Sequence, residues 1–162
     1  MKVIVDASSL INLMKAGALA IVLRLEGFTF NIGPLVEYEC GPEAPELTAA
    51  IADGSIARLD DNALSANAFA NFMGLYDLGD GETECLAFAD DNPEFTICTD
   101  DGAARAAASG HFGGDRVVGS LFLLRECVRK GILKGEEARG LYELMRKMGG
   151  FLPDLADDYF TG

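Results

Sequence analysis

Acidic side chains close several of the apolar runs in this sequence, and their placement is the feature that could do chemistry. Asp6 directly follows the run Lys2–Val5, and Asp100 and Asp101 follow the run at 94–98 after one threonine. Glu39 lies in the helical stretch after the run at 28–32, while Glu82 and Glu84 sit in the first turn of the helical stretch that leads into 94–98. Side chains two apart on a helix point to different faces, so only one of Glu82 and Glu84 is expected to reach a shared cleft. Two unit charges about 4 Å apart repel by roughly 4 kcal/mol at an effective dielectric of about 20. Four carboxylates converging in one cleft must therefore take up protons or enclose a hard cation. With oxygen donors only, and no thiolate or imidazole set nearby, the expected ion is Mg²⁺ or Mn²⁺. Ions held this way activate water and stabilise the leaving oxygen in phosphodiester hydrolysis, which needs no catalytic histidine.

Taken singly, each acid has a plainer use. Asp6 and the Asp100–Asp101 pair suit caps or turns, Glu39 suits a solvated helix face, and Glu82 suits the positive end of a helix dipole. The signal is the combination and its order. Asp60–Asp61, Asp90–Asp91 and Asp157–Asp158 are equally acidic and read as solvated loop or tail charges.

The elements that must position these acids alternate. Strand-like runs fall at 2–5, 28–32, 55–59, 94–98 and 116–118. Helical stretches fall between them: from Ser8 or Ser9 as cap to about Lys15, then 18–25, 35–40, 46–52, 64–76, 80–90, 103–109, 120–130 and 136–148. Gly17 and Gly27 close two of the helices, Pro34 opens one near its first turn, and Pro42 and Pro45 punctuate a turn. Strand–helix alternation implies an α/β fold with a parallel sheet, and sites in such sheets lie beyond the carboxyl ends of the strands.

At 162 residues the chain suits one domain, with a core over 1–120 and a helical extension over 121–162. Its composition, 49% apolar and 24% charged, excludes a disordered or collagenous protein. Cys40, Cys85, Cys98 and Cys127 form no CxxC pair, which suggests neither a zinc site nor a disulfide framework but a reduced, cytoplasmic chain. Charges interrupt every apolar run before the roughly 18 residues of a membrane span, and the N-terminus reads as a strand rather than a signal peptide. The net charge of −13 argues against gripping a phosphate backbone unaided; it suits bound cations or a basic partner.

The same positions carry a family resemblance. Val5–Leu13, reading VDASSLINL, resembles the opening of PIN-domain proteins, the group that includes VapC-type toxin ribonucleases. Val36-Glu37-Tyr38-Glu39 resembles the segment bearing the family's second acid, which falls on Glu39 in preference to Glu37. The GETECLAFA stretch from Gly81 to Ala89 resembles the segment bearing the third, on Glu82, where the family more often has Asp. Ile97-Cys98-Thr99-Asp100-Asp101 resembles the segment after the fourth strand, where Asp101 matches best and Asp100 is additional. The remainder is similar to a less-characterised bacterial and archaeal branch of PIN-like proteins. The resemblance implies a five-stranded parallel sheet between helices. It also implies an Mg²⁺- or Mn²⁺-dependent endoribonuclease, often a homodimer, and often a toxin held inactive by an antitoxin. Asp6, Glu39, Glu82 and Asp101 would be catalytic and hold the metal with Asp100, while Ser8 and Glu84 assist. Arg105 would bind RNA, with Arg116 and Lys130 as further basic candidates.

A rival reading is a catalytically inactive PIN-like module that binds a small basic protein. A small-molecule phosphohydrolase using Asp6 as nucleophile would want a second Asp two residues on, where Ser8 stands. His111, the only histidine, reads as a loop residue after a helix, in a capping or surface role. Neither GxGxxG nor GK[ST] occurs. Phe69, Phe72, Met73 and Tyr76 have helical spacing and read as core or a dimer face rather than a base-stacking platform.

Overall fold

The computed structural model of the chain describes residues 1–41 and 44–161. Five short runs form one parallel sheet: β1 (Lys2–Val5), β2 (Thr29–Ile32), β3 (Ile56–Arg58), β4 (Phe95–Cys98) and β5 (Val117–Val118), in the order β3-β2-β1-β4-β5. Val3 stands between Phe30 and Thr96, and Ile4 between Asn31 and Ile97. Val3, Ile4 and Val5 are all buried, which is why β1 reads as a continuous apolar run: helices cover both faces of the sheet. The chain builds outward from β1 through β2 to β3, then crosses back to lay β4 and β5 on the other side. The direction of winding therefore switches between β1 and β4, the place where a parallel sheet opens a crevice at its carboxyl edge.

The flanking helices are α1 (Ala7–Lys15), α2 (Leu19–Val22), α3 (Pro34–Cys40), α4 (Pro45–Ala52), α5 (Ala66–Leu75), α6 (Asp80–Asp91), α7 (Gly102–Phe112), α8 (Ser120–Arg129) and α9 (Gly135–Lys147). α6 is the deepest. Its residues from Thr83 to Ala89 are all buried, and it packs on β1, β4, α3, α5 and α7. Its small residues let neighbours approach closely, so a large-to-small change at Leu86 would cost about 2–5 kcal/mol.

Several boundaries differ from the sequence reading. The cap of α1 is Asp6, with Ser8 already inside the helix, because a carboxylate there can take the Ser8 N–H. The stretch expected at 18–25 shrinks to α2, ending in turns that lead to Gly27 at φ +83°. α7 runs on to Phe112, so His111 is helical; its ring nitrogens meet Tyr76 Oη at 3.2 Å and Asp90 Oδ1 at 3.1 Å, tying α5 and α6 to α7. Pro45 opens α4 rather than punctuating a turn, while Pro42 lies outside the described residues. Phe72 is buried and packs with Tyr76, His111 and Phe112, but Met73 is half exposed. All four cysteines are free thiols.

α8 and α9 pack on each other and on α1. Ala138, Tyr142 and Met145 form the buried stripe of α9 at the spacing of one helical face. Beyond it, residues 151–161 return across the helix as a strap instead of trailing into solvent. Tyr142 Oη donates to Pro153 O at 2.8 Å, Arg146 Nη1 to Asp154 Oδ1 at 2.7 Å, and Arg139 Nη2 to Ala156 O at 2.6 Å. Leu152 and Phe160 are buried as its two apolar anchors.

Candidate active site at the carboxyl edge of the sheet

Asp6 leaves β1 in extended conformation and its N–H still donates to Cys98 O at 2.8 Å, prolonging the β1–β4 ladder by one residue. Its carboxylate is thus fixed over the switch point. Oδ2 accepts from Ser8 Oγ at 2.5 Å, Thr99 Oγ1 at 2.8 Å and Ser8 N at 3.3 Å. The hydroxyl donors are committed to Asp6, so their lone pairs face the other way. Ser8 Oγ accepts from Asp100 N at 3.0 Å and Asp101 N at 3.2 Å, and Thr99 Oγ1 also accepts from Asp101 N at 3.2 Å. This small network locks the turn after β4 against the start of α1. Asp6 Oδ1 is buried and has no hydrogen-bond partner among the described residues. Burial pushes the Asp6 carboxyl above its ordinary value, and the donors from Ser8 and Thr99 only partly offset it.

Asp101 caps α7, its Oδ1 accepting from Ala104 N at 2.8 Å. Glu82 sits at the start of α6, where Oε2 accepts from Gly79 N at 2.9 Å. Burial raises its carboxyl as well, and the negative charges of Asp101, Asp6 and Glu39 raise it further. Glu39 projects from the last turn of α3, and its Oε1 accepts from Gly81 N at 2.8 Å. A Cβ on Gly81 would lie 2.6 Å from Glu39 Oε2, so the contact needs glycine. Glu37, the less favoured acid, ion-pairs with Arg58 instead.

Two expected participants have other tasks. Glu84 is buried and turns to α3, accepting from Leu35 N at 3.1 Å and Val36 N at 3.1 Å. A Cβ on Gly33 would lie 2.1 Å from Glu84, so this cap also requires glycine. The two helices cap each other: Glu84 of α6 serves the amino end of α3, and Glu39 of α3 serves the amino end of α6. Asp100, expected among the metal-holding acids, is saturated elsewhere. Its Oδ1 accepts from Ser120 N at 2.8 Å, and its Oδ2 from Ser120 Oγ at 2.6 Å and Asn12 Nδ2 at 2.8 Å, tying β4 to α8 and α1. Ser8 orients Asp6 rather than capping α1.

The basic candidates separate. Arg105 lies beside the site, its Nη1 donating to Thr99 O at 2.9 Å and Val118 O at 2.8 Å. Arg116 works at the opposite edge of the sheet, donating to Phe95 O and Ala89 O. Lys130 closes the far end of α8, about 15 Å along the axis from Ser120 at 1.5 Å per residue. Thr99 and Asn12 are residues that sequence reasoning left without a role, and Ser120, read with Gly119 as the cap of α8, was given no part in the site. Each lies in or beside a stretch that did attract notice, but a buried hydroxyl or amide shows no pattern until its partner is placed.

As they stand, no three His, Cys, Asp or Glu side chains among the described residues are grouped closely enough to hold a metal ion. Glu39, Glu82 and Asp101 each rest one oxygen on a backbone N–H. By donor type the set nonetheless fits a hard divalent cation: carboxylate oxygens only, one of them, Asp6 Oδ1, buried without a partner among the described residues. Among the described residues no helix is long and apolar enough to cross a membrane.

No curated protein and no solved structure matches the chain. The PIN-domain family model matches residues 2–156, which spans every strand and all the acids above. With its five-stranded parallel sheet and acid-lined switch point, the chain belongs to the PIN-domain family.

Proposed function

We propose that the protein is an Mg²⁺- or Mn²⁺-dependent endoribonuclease. The observation that carries this reading is Asp6 Oδ1, a carboxylate oxygen buried at the switch point without a partner among the described residues, beside a glutamate that feels three other carboxylates. A buried, uncompensated anionic oxygen is costly, and a divalent cation offsets that cost. Asp6, Glu39, Glu82 and Asp101 would hold the ion. When bound, it would supply an activated water and charge stabilisation at the leaving oxygen. The chain's own contribution is orientation. Ser8 and Thr99 hold Oδ2 and leave Oδ1 unpartnered among the described residues, and the mutual capping of α3 and α6 brings Glu39 alongside Glu82.

The test is cleavage of single-stranded RNA by the purified chain with Mn²⁺, with EDTA and Asp6→Asn as controls. Cleavage stopped by both supports the reading; cleavage insensitive to both overturns it. The net charge of −13 favours a second reading, an inactive module seated on a small basic protein. On that reading calorimetry finds no Mn²⁺ uptake and a basic neighbour co-purifies. A toxin role, with that basic protein as antitoxin, predicts growth arrest on expression that co-expression of the partner relieves. Homodimer formation is read independently from the mass in solution.

A further inference from the structure

One cleft of about 300 Å³ opens at the carboxyl end of β5, between that edge and the strap. Its walls come from two separate parts of the chain. Arg105 and Phe122 belong to α7 and α8, while Leu152, Pro153, Leu155 and Tyr159 belong to the strap. Asp100 lines it too, and the next residue, Asp101, belongs to the acid edge, so the cleft and the candidate active site share the end of β4. Its volume is at the lower limit of small-ligand sites, about 300–1,000 Å³.

The cleft pairs aromatic walls with positive charge. The Arg125 guanidinium lies 5.1 Å from the Tyr159 ring centroid and 5.9 Å from that of Phe122. Arg105 uses only Nη1 for its two backbone bonds; among the described residues its Nε and Nη2 donate to nothing. In a chain with 13 basic and 26 acidic residues, this cleft has Arg105 in its lining and Arg125 stacked on two of its aromatic walls. Both carboxylate oxygens of Asp100 already accept hydrogen bonds, from Ser120 and Asn12. Unstacked bases are held in this way, by an aromatic face, an arginine plane and spare donors for base or phosphate oxygens.

We propose that this cleft is a nucleobase subsite that takes an unpaired base of single-stranded RNA next to the scissile phosphate, and that the C-terminal strap exists in part to build it. The proposal rests on the ribonuclease reading for the phosphate but not for the base.

Photo-crosslinking is the test that needs no variant. A short thiouridine-substituted oligoribonucleotide is irradiated with the wild-type chain in Ca²⁺, and the adducts are mapped. Adducts on Phe122, Leu155 or Tyr159 support the subsite; adducts confined to other surfaces, or none, overturn it. Anisotropy with labelled A, U and C homopolymers then reads preference. Tyr159→Ala and the cleft-filling Leu155→Trp should weaken the preferred oligomer about tenfold, the loss of one base–aromatic stack, and flatten the preference. Phe151→Ala, on the same strap but exposed and outside the cleft, should not. Thermal melts identify any variant that fails to fold, and wild-type binding by Tyr159→Ala and Leu155→Trp that do fold overturns the subsite. Cleavage in Mn²⁺ is scored separately. Adducts in the cleft without cleavage remove the nuclease reading and leave the subsite; cleavage with adducts elsewhere does the reverse.

Discussion

Asp6 concentrates the chemistry of this protein into one carboxylate with two unlike oxygens. Oδ2 has three donors and Oδ1 has none among the described residues. Replacing Asp6 with Asn keeps an acceptor for Ser8 and Thr99 and removes the charge, so the fold should survive. Divalent binding should not. A ligand present at about 100 times its Kd stabilises the native state by roughly 2.7 kcal/mol. Mn²⁺ should therefore raise the wild-type melting temperature and leave that of Asp6→Asn in place, with cleavage down about 100-fold or more. Equal Mn²⁺ shifts in both proteins would remove Asp6 from the metal site. The acid was readable in the sequence because a charge at the end of an apolar run is conspicuous. The Ser8–Thr99 network that aims it was not, since residues 91 apart in the chain meet only once β1 and β4 pair.

At the level of elements, the reciprocal caps between α3 and α6 decide whether Glu39 belongs to the site at all. Gly81→Ala would put a Cβ at 2.6 Å from Glu39 Oε2 and push that side chain off the Gly81 N–H. Its expected signature is reduced cleavage and weaker Mn²⁺ binding with the far-ultraviolet dichroism unchanged; full activity would place Glu39 outside the site. Glu84→Gln acts on the other cap. One amide nitrogen would face backbone N–H groups where two carboxylate oxygens now accept them, at a cost of about 1–3 kcal/mol. For a chain of this length that lowers the melting temperature by roughly 2–12 °C. Periodicity showed that only one of Glu82 and Glu84 could face the cleft. It did not show that the other was a cap for α3, because the GE segment looks the same in one dimension whichever helix end it serves. Asp100 is the same lesson in reverse: adjacency to Asp101 made it look like a ligand, while its partners Asn12 and Ser120 come from α1 and α8.

For the whole molecule, alternating apolar runs were enough to specify a parallel sheet with its acids on one edge, since strand order and handedness leave few alternatives. They were not enough for the strap. Leu152 and Phe160 each follow another apolar or aromatic residue, Phe151 and Tyr159, in a short acidic tail, and nothing in their spacing announces that α9 offers Arg139, Tyr142 and Arg146 to hold it. The charge of −13 has a further consequence that the fold sharpens. Burial pushes the carboxyls of Asp6, Glu82 and Glu84 above their ordinary values of 3.8, 4.5 and 4.5. A carboxyl raised in the folded state binds more protons there than in the unfolded chain. Its contribution is complete below the unfolded value and is lost as pH climbs through the folded one. Asp53 and Glu94 are shifted the opposite way, but their contributions change only below about 4.5, where they would be lost on acidification. Stripped of divalent ions, the protein should therefore melt higher near pH 5.5 than near pH 7.5, and saturating Mn²⁺ should flatten that slope. General self-repulsion has the same sign, so the comparison needs a matched control. Asp91→Asn removes one exposed charge far from the edge, and Asp6→Asn removes one buried charge within it. The pH slope of metal-free Asp6→Asn should be shallower than that of Asp91→Asn. Identical slopes would assign the effect to overall charge and leave the buried edge without a part in it.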